Sequence, residues 1–285
     1  MDYGHPLHFG TFITPTNAEP HGAVALAVLS EELGYDLVAF QDHPYQPRFH
    51  DTWTLLSYVA AVTTRIQLAP NVLNLPLRPV PVIARSAASL DLLSDGRFNL
   101  GLGAGAFWDA IEAMGGRRLS PGQAVDALSE AIDLIRGIWD PGDRTPLHGG
   151  RYDTVRGAKR GPVPAHAIPI WVGAYKPRML GITGAKADGW LPSLGRMESA
   201  DLREANARID DAADRAGRAP ADVRRLLNIS GREGVKRLAD LALVHGFSTF
   251  IVGSDDGAFL RSFAEETAPR VREIVEEGRR AGPRG

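Results

Sequence analysis

Apolar positions along this chain alternate between two rhythms. Short runs at Leu7 to Ile13, Asp36 to Phe40, Arg65 to Val72 and Phe98 to Leu102 are largely apolar and end at polar or glycine-bearing turns, as buried strands do. Between them, Gly22 to Leu33, Asp51 to Val62 and Val82 to Leu93 repeat apolar residues at helical spacing. In the second of these, Asp51 is placed to cap, and Trp53, Leu56, Val59 and Ala60 share one face. Gly122 to Trp139 is the clearest helix, with Val125, Leu128, Ile132, Ile135 and Ile138 in register. Strands follow at Ile168 to Val172, Gly189 to Leu191, Arg224 to Ile229 and Thr249 to Val252. Helices at Ser199 to Ala216, Val235 to His245 and Ala258 to Glu276 complete the alternation.

Eight strand–helix units without a composition break predict an α/β fold. The expected architecture is one (β/α)8 TIM barrel over residues 1–285, not an open doubly wound sheet. Residues 107–167 exceed a normal crossover and are expected to form an inserted helix and loop that cover the barrel. Within them, Asp140 to Pro164 is rich in glycine, proline and arginine. It reads either as a lid or binding loop, or as a cover for one barrel end.

Composition narrows the chemistry. The 285 residues carry 32 basic and 34 acidic side chains, a net charge of −2, with no basic footprint for nucleic acid or a membrane surface. There is no cysteine, which excludes disulfides, thiolate catalysis and iron–sulfur clusters. No leader pattern and no long apolar run is present, so a cytoplasmic location is expected.

Barrel chemistry belongs at the carboxyl ends of the strands. His43 follows the second strand and can exchange a proton near neutral pH, with the adjacent Asp42 available to orient it. Asn71-Val72 ends the third strand, where an amide can donate or accept without adding charge. The fourth strand runs into Gly101, Gly103, Ala104 and Gly105, too late in the chain for a dinucleotide fingerprint. After the fifth, the turn from Gly173 to Arg178 offers amides at a helix start, with Lys176 and Arg178 nearby and Pro177 in the first turn. It suits either a phosphate or ordinary capping. Asp255-Asp256 reads as a helix cap after the last strand, and His245 as structural. The remaining histidines are dispersed without ligand spacing, so no metal is expected.

Several motifs match one family together. They are Gly34-Tyr35-Asp36 leading to Asp42-His43, and Thr64-Arg65-Ile66 with Asn71-Val72. Leu93-Ser94-Asp95-Gly96-Arg97-Phe98 follows with Gly101 and Gly103, then Trp171-Val172-Gly173-Ala174 through Pro177-Arg178-Met179-Leu180 to Ala187-Asp188-Gly189-Trp190. The chain resembles the bacterial luciferase-like flavin- and deazaflavin-dependent oxidoreductases, with motifs nearest the branch that uses coenzyme F420. The resemblance implies that Asp42 and His43 lie near the reactive ring, with His43 relaying a proton. It implies a non-prolyl cis peptide at Asn71-Val72 behind the ring. Gly103, Ala104 and Gly105 would lie along the cofactor, and Gly173, Ala174, Tyr175, Lys176, Pro177, Arg178 and Met179 would hold its phosphate.

Two departures bear on substrate. The sugar-phosphate dehydrogenases of that branch place a proton-donating glutamate where this chain has Ala106, and a tryptophan where it has Pro47. Phe107 and Trp108 suggest an apolar substrate wall, and Asp109 a substitute acid. The expected function is hydride transfer between F420 and a small organic substrate. The alternatives are an FMN-dependent monooxygenase supplied with reduced flavin by a reductase, and a non-catalytic flavin-binding protein. The same resemblance implies a homodimer through helices near the second and third strands, where Ala87, Ala88, Leu90 and Leu93 could contribute or could equally pack against the barrel.

Overall fold

The structure, a computed structural model, describes residues 2–142, 145–197 and 199–282. Met1, Asp143 and Arg144 of the irregular stretch, Glu198 and residues 283–285 lie outside the described residues. The strands are β1 (His8–Ile13), β2 (Leu37–Phe40), β3 (Gln67–Pro70), β4 (Leu73–Asn74), β5 (Leu100–Gly103), β6 (Leu147–Gly149), β7 (Val155–Ala158), β8 (Ile170–Val172), β9 (Gly189–Trp190), β10 (Arg224–Ile229) and β11 (Phe247–Gly253). All but β6 and β7 join one parallel sheet in the order β3-β2-β1-β11-β10-β9-β8-β5-β4. β6 and β7 form a separate antiparallel hairpin.

β3 and β4 are two halves of a single stave. β3 pairs with β2 and β4 with β5, and between them the Asn71–Val72 peptide is cis. A parallel bridge joins Leu68 to Phe98, with the Leu68 amide donating to Arg97 O and the Asn99 amide donating to Leu68 O, both at 2.9 Å. That bridge ties β3 to the approach to β5 and closes an eight-stave cylinder.

The helices are α1 (Gly22–Glu32), α2 (Thr52–Val62), α3 (Val80–Leu93), α4 (Trp108–Ala113), α5 (Pro121–Trp139), α6 (Pro177–Lys186), α7 (Ser199–Arg215), α8 (Gly234–Leu243), α9 (Gly257–Ser262) and α10 (Ala268–Ala281). Period-two alternation in the staves divides the apolar residues into two cores. Leu37, Ala39, Ala69, Trp171, Leu191, Leu226 and Ile251 fill the lumen, with Phe12 and Val72 packed against them. The larger core, including Val38, Phe40, Leu56, Ile83, Leu102, Leu128 and Phe250, lies between sheet and helices. The lumen is tight at β5: a Cβ on Gly101 would stand 2.2 Å from Pro70 O, so only glycine fits.

The segment after β5 differs from expectation. α5 buries Leu128, Ile132, Ile135 and Ile138 and is the wall helix of the β5 stave, because its apolar stripe has the width that packing on a sheet demands. The added parts are α4 before it and the β6–β7 hairpin after it. The hairpin lies along the outside of the barrel, where Gly161 N donates to Ile138 O at 2.7 Å and Arg85 donates to Lys159 O at 2.6 Å. Its tip is held by Glu130, whose carboxylate accepts from the amides of Arg151 (2.6 Å), Tyr152 (2.9 Å) and Asp153 (3.1 Å). Asp153 in turn accepts from Val80 N at the start of α3 (3.3 Å). On α3 itself, Ala87, Ala88 and Leu90 are buried under the helix and unavailable to a second copy, whereas Leu93 is 83% exposed.

Candidate active site

The chain leaves β2 as Gln41-Asp42-His43, and alternation turns Asp42 away from its neighbours. The Asp42 carboxylate is buried; it accepts from Asn74 N at 2.8 Å and is gripped at both oxygens by the Arg78 guanidinium. Arg78 also donates to Asp51 at 3.0 Å, and Asp51 caps α2 by accepting from Thr54 N at 2.9 Å. Among the described residues no hydrogen bond joins Asp42 to His43. Contrary to the expected orienting role, Asp42 ties the loop after β2 to the loop after β4, because a buried carboxylate takes the bidentate cation in reach.

Aromatic rings orient His43 instead. Tyr45 stacks on it at 5.4 Å and 19°, Phe49 lies at 6.4 Å and 22°, and Phe107 meets it edge-on at 5.4 Å and 68°. Burial pushes the His43 imidazole below its ordinary value, and the Asp42 charge offsets part of that shift. The ring is therefore neutral at pH 7, able to accept a proton at one nitrogen and donate at the other.

Across the mouth, Asn71 and Asn228 form a reciprocal amide pair: Asn71 Nδ2 donates to Asn228 Oδ1 at 2.7 Å, and Asn228 Nδ2 returns to Asn71 Oδ1 at 3.2 Å. Asn228 also reaches Ser193 Oγ at 3.4 Å. Beside this pair runs the glycine strand. A Cβ on Gly103 would fall 2.6 Å from Val72 Cγ2, and one on Gly105 would fall 2.8 Å from Pro76 and 3.0 Å from the Trp108 ring. Gly105 also sits at φ +100°, a conformation that favours glycine. Ala104 borders a cavity of about 320 Å³ lined also by Leu75, Pro76, Met114, Tyr152 and Asp153.

α6 starts without a capping side chain. Lys176 is its exposed N-cap residue and Pro177 occupies the first turn, so the Arg178 and Met179 amides meet no side-chain acceptor. The preceding turn is anchored from below: Ala174 O accepts the Trp190 indole N–H at 2.9 Å, and Tyr175 Oη accepts from Ser193 N at 2.9 Å. Gly173 follows β8 with Val72 Cγ1 3.8 Å from where its Cβ would be. Arg178 does not face this turn. It is exposed and donates to Asp126 on α5 at 2.6 Å, the nearer charge, which corrects the expectation that it partners a phosphate.

These groups fit an anionic, flat cofactor. Gly103 and Gly105 let the Val72, Pro76 and Trp108 side chains close on the end of the glycine strand; the start of α6 has no side-chain cap; and Asn74 Oδ1, whose residue opposes Gly103 in the β4–β5 register, is buried with no partner among the described residues. Phe107 is half exposed and forms a wall with Tyr45, the ring centroids 5.9 Å apart. Trp108 packs on Gly105. Asp109 points into solvent and is ion-paired with Arg118, so it lies off the wall that was expected to include it. Among the described residues no group of three or more His, Asp or Glu could hold a metal, and no helix is long and apolar enough to cross a membrane.

Sequence reasoning missed Tyr45 and Phe49, although aromatics closely following a histidine at a strand end were a visible signal. It also missed Asn228 and Ser193, for which no local signal exists.

A family model described as luciferase-like monooxygenase matches residues 3–230. An uncharacterized protein of Mycobacterium tuberculosis is 30% identical over 266 residues, covering 89% of this chain and 88% of that one. An F420-dependent glucose-6-phosphate dehydrogenase of Mycolicibacterium gilvum is 33% identical over 218 residues, 74% of this chain and 64% of that one. Among solved structures, an F420-dependent secondary alcohol dehydrogenase in complex with an F420–acetone adduct superposes with a TM-score of 0.82 at 16% identity, covering 94% and 99% of the two chains.

Proposed function

The chain belongs to the luciferase-like monooxygenase family of oxidoreductases, and from that premise we propose that it transfers hydride between coenzyme F420 and a small organic substrate. When bound, the deazaflavin supplies a two-electron hydride carrier. Val72, Gly103, Ala104 and Gly105 would line its ring, with the Asn71–Asn228 pair holding the stave end behind it. The Gly173 to Met179 turn would take the phosphate on its amides, with Lys176 as the nearby cation. His43 would accept the hydroxyl proton as an alcohol is oxidised, or return it as a carbonyl is reduced. Tyr45, Phe49 and Phe107 would limit water around that exchange once substrate is bound and would favour an apolar substrate body.

The observation that carries this reading is the His43 ring, held against three aromatic rings and, among the described residues, without a hydrogen-bonded partner, at the mouth of a family barrel. A homodimer, a cytoplasmic location and delivery of reduced cofactor by a separate reductase belong to the same proposal. The test is a pair of equilibrium titrations of the purified chain, one with F420 and one with FMN, followed by the fluorescence of its five tryptophans. Tight F420 binding with weak FMN binding is expected. Preference for FMN would overturn it in favour of an oxygen-dependent monooxygenase. Tight binding of F420 without turnover of any alcohol or carbonyl would indicate a non-catalytic flavin-binding protein.

A further inference from the structure

On the far side of the mouth from the glycine strand, a recess of about 200 Å³ opens at the carboxyl ends of β1, β2 and β11. Phe12 and Ile13 line its apolar part, and Thr14, Gln41, Ser254 and Asp255 its polar part. The register places these groups together, since Ile13 pairs with Phe40 on one side and Phe12 with Gly253 on the other. Gln41 precedes His43 by two residues, so in extended chain the two side chains leave on the same face.

The two aspartates after β11 divide their work. Asp256 caps α9, accepting from Ala258 N at 2.9 Å and Phe259 N at 3.3 Å. Asp255 instead reaches across to β1, where its Oδ1 accepts from Thr14 N at 2.8 Å. Among the described residues its second oxygen has no hydrogen-bond partner and no cation pairs with it. No basic side chain lines the recess; Arg232, exposed on the loop after β10, is not among the lining residues. The Gln41 side-chain amide makes no hydrogen bond among the described residues; its backbone oxygen is engaged, accepting from Thr52 Oγ1 at 2.9 Å. The Ser254 hydroxyl accepts from Asp256 N at 3.1 Å, so the groups turned to this small space with capacity to spare are one oxygen of the exposed Asp255 carboxylate and the Gln41 amide.

We propose that this recess is the polar subsite of the substrate pocket and that it takes a hydrogen-bond-donating group, hydroxyl or ammonium, while rejecting phosphorylated and carboxylated substrates. The proposal rests on the barrel mouth being the site of hydride transfer. A substrate with an apolar body against Phe107 and Tyr45 would then place its donor against Asp255 and Gln41. An anionic substituent would meet the Asp255 charge with no cation to offset it.

The test uses three probes on one ring skeleton: cyclohexane-1,3-diol, 3-aminocyclohexanol and 3-hydroxycyclohexanecarboxylate. Their dissociation constants for the full chain are measured by saturation-transfer NMR, without cofactor and after addition of F420. The amine and the diol are expected to bind about fivefold or more tightly than the carboxylate, the size of a partly screened charge contact. Asp255→Asn keeps an acceptor for Thr14 N, and an unchanged melting temperature would show that the fold survives. In that variant the amine is expected to lose its advantage over the carboxylate while the diol changes by less than about twofold. Equal binding of the carboxylate and the amine to the unmodified chain overturns the proposal. So does an unchanged order in the variant, or the absence of saturation transfer from every probe. If F420 fails to bind while the amine preference holds, the redox reading falls and the recess stands; if F420 binds and no preference exists, the recess falls alone.

Discussion

The two ends of the barrel are both polar, and they differ in whether the polar groups find partners inside the chain. At the amino end, Arg225 is fully buried and donates to Asn206 Oδ1 at 2.8 Å, to Tyr3 Oη at 3.1 Å and to the Asp210 carboxylate, with its guanidinium 4.4 Å over the Tyr3 ring. Arg224 donates to Thr249 Oγ1 at 2.9 Å, Arg272 to Asp36 at 3.1 Å and Arg279 to Asp2 at 2.7 Å. At the carboxyl end, His43, Gln41, Asn74 Oδ1, one oxygen of Asp255 and the first-turn amides of α6 have no such side-chain partner among the described residues. A saturated polar network holds a fold in one arrangement, whereas an unsaturated one has capacity left for a ligand. His245 Nδ1 is the exception at the amino end, buried without a partner among the described residues, so the contrast is one of degree, and it favours the carboxyl end as the place for a ligand.

The largest effect should come from the open end. Replacing His43 with Gln removes the proposed proton carrier while keeping a polar side chain, and the rate of the proposed hydride transfer should fall by about 10²- to 10⁴-fold. F420 affinity and melting temperature should hardly move. Stopped-flow absorbance of the coenzyme separates the two; a parallel loss of affinity would mean that His43 holds the cofactor and does not relay a proton. The closed end should give the opposite pattern. Arg225→Met leaves Asp210 without its cation and Tyr3 and Asn206 without their donor, costing about 3–5 kcal/mol in a urea titration. Cofactor affinity per folded molecule should be unchanged. A cost below about 1 kcal/mol would show that the amino-end network is ornamental and dissolve the contrast. Between these lies Gly105→Ala, which must fit a Cβ 2.8 Å from Pro76 at φ +100° and should destabilise by about 1–3 kcal/mol. It should also weaken F420, because Pro76 and Trp108 would be displaced from the end of the glycine strand; unchanged affinity would separate that turn from the cofactor.

The staves and their helices were legible because each is set by local rhythm. Leu37–Phe40 and Gln67–Pro70 fall inside the expected runs, and Asp51 caps where its position before an apolar face implied. The glycine strand was legible too, though its reason was not: Gly101 and Gly103 are demanded by Pro70 and Val72 on the adjoining stave, about thirty residues away. What failed to show were partnerships that close across the barrel. Asn71 and Asn228 are separated by 157 positions, and nothing near either announces the other. The same blindness explains Asp42 and Arg178, whose neighbours in sequence suggested His43 and a phosphate. Arg78 and Asp126, brought by tertiary packing, offered each a closer opposite charge. Ala87, Ala88 and Leu90 have the composition of an interface and of a helix underside alike, and only the direction of α3 decides between them.

The smallest effect tests the comparison through pH. Burial lowers the imidazoles of His5, His8, His245 and His43, the first three at the amino end and the last at the mouth. Nearby arginines push the same way at the amino end: Arg224 beside His5 and His8, Arg237 and Arg203 beside His245. Each ring takes up its proton less readily in the folded chain than once unfolded, where its value is about 6.5. Their contribution is therefore fully present above about pH 6.5 and is lost as pH falls toward the folded values, because the unfolded chain binds the additional protons. Urea midpoints should decline between pH 7.5 and 5.5. His43→Gln should remove only the minor part of that slope, since three of the four groups and all their cationic neighbours lie at the other end. If that one substitution flattened the profile, the mouth and not the amino end would govern acid stability, and the division of labour between the two ends would have to be redrawn.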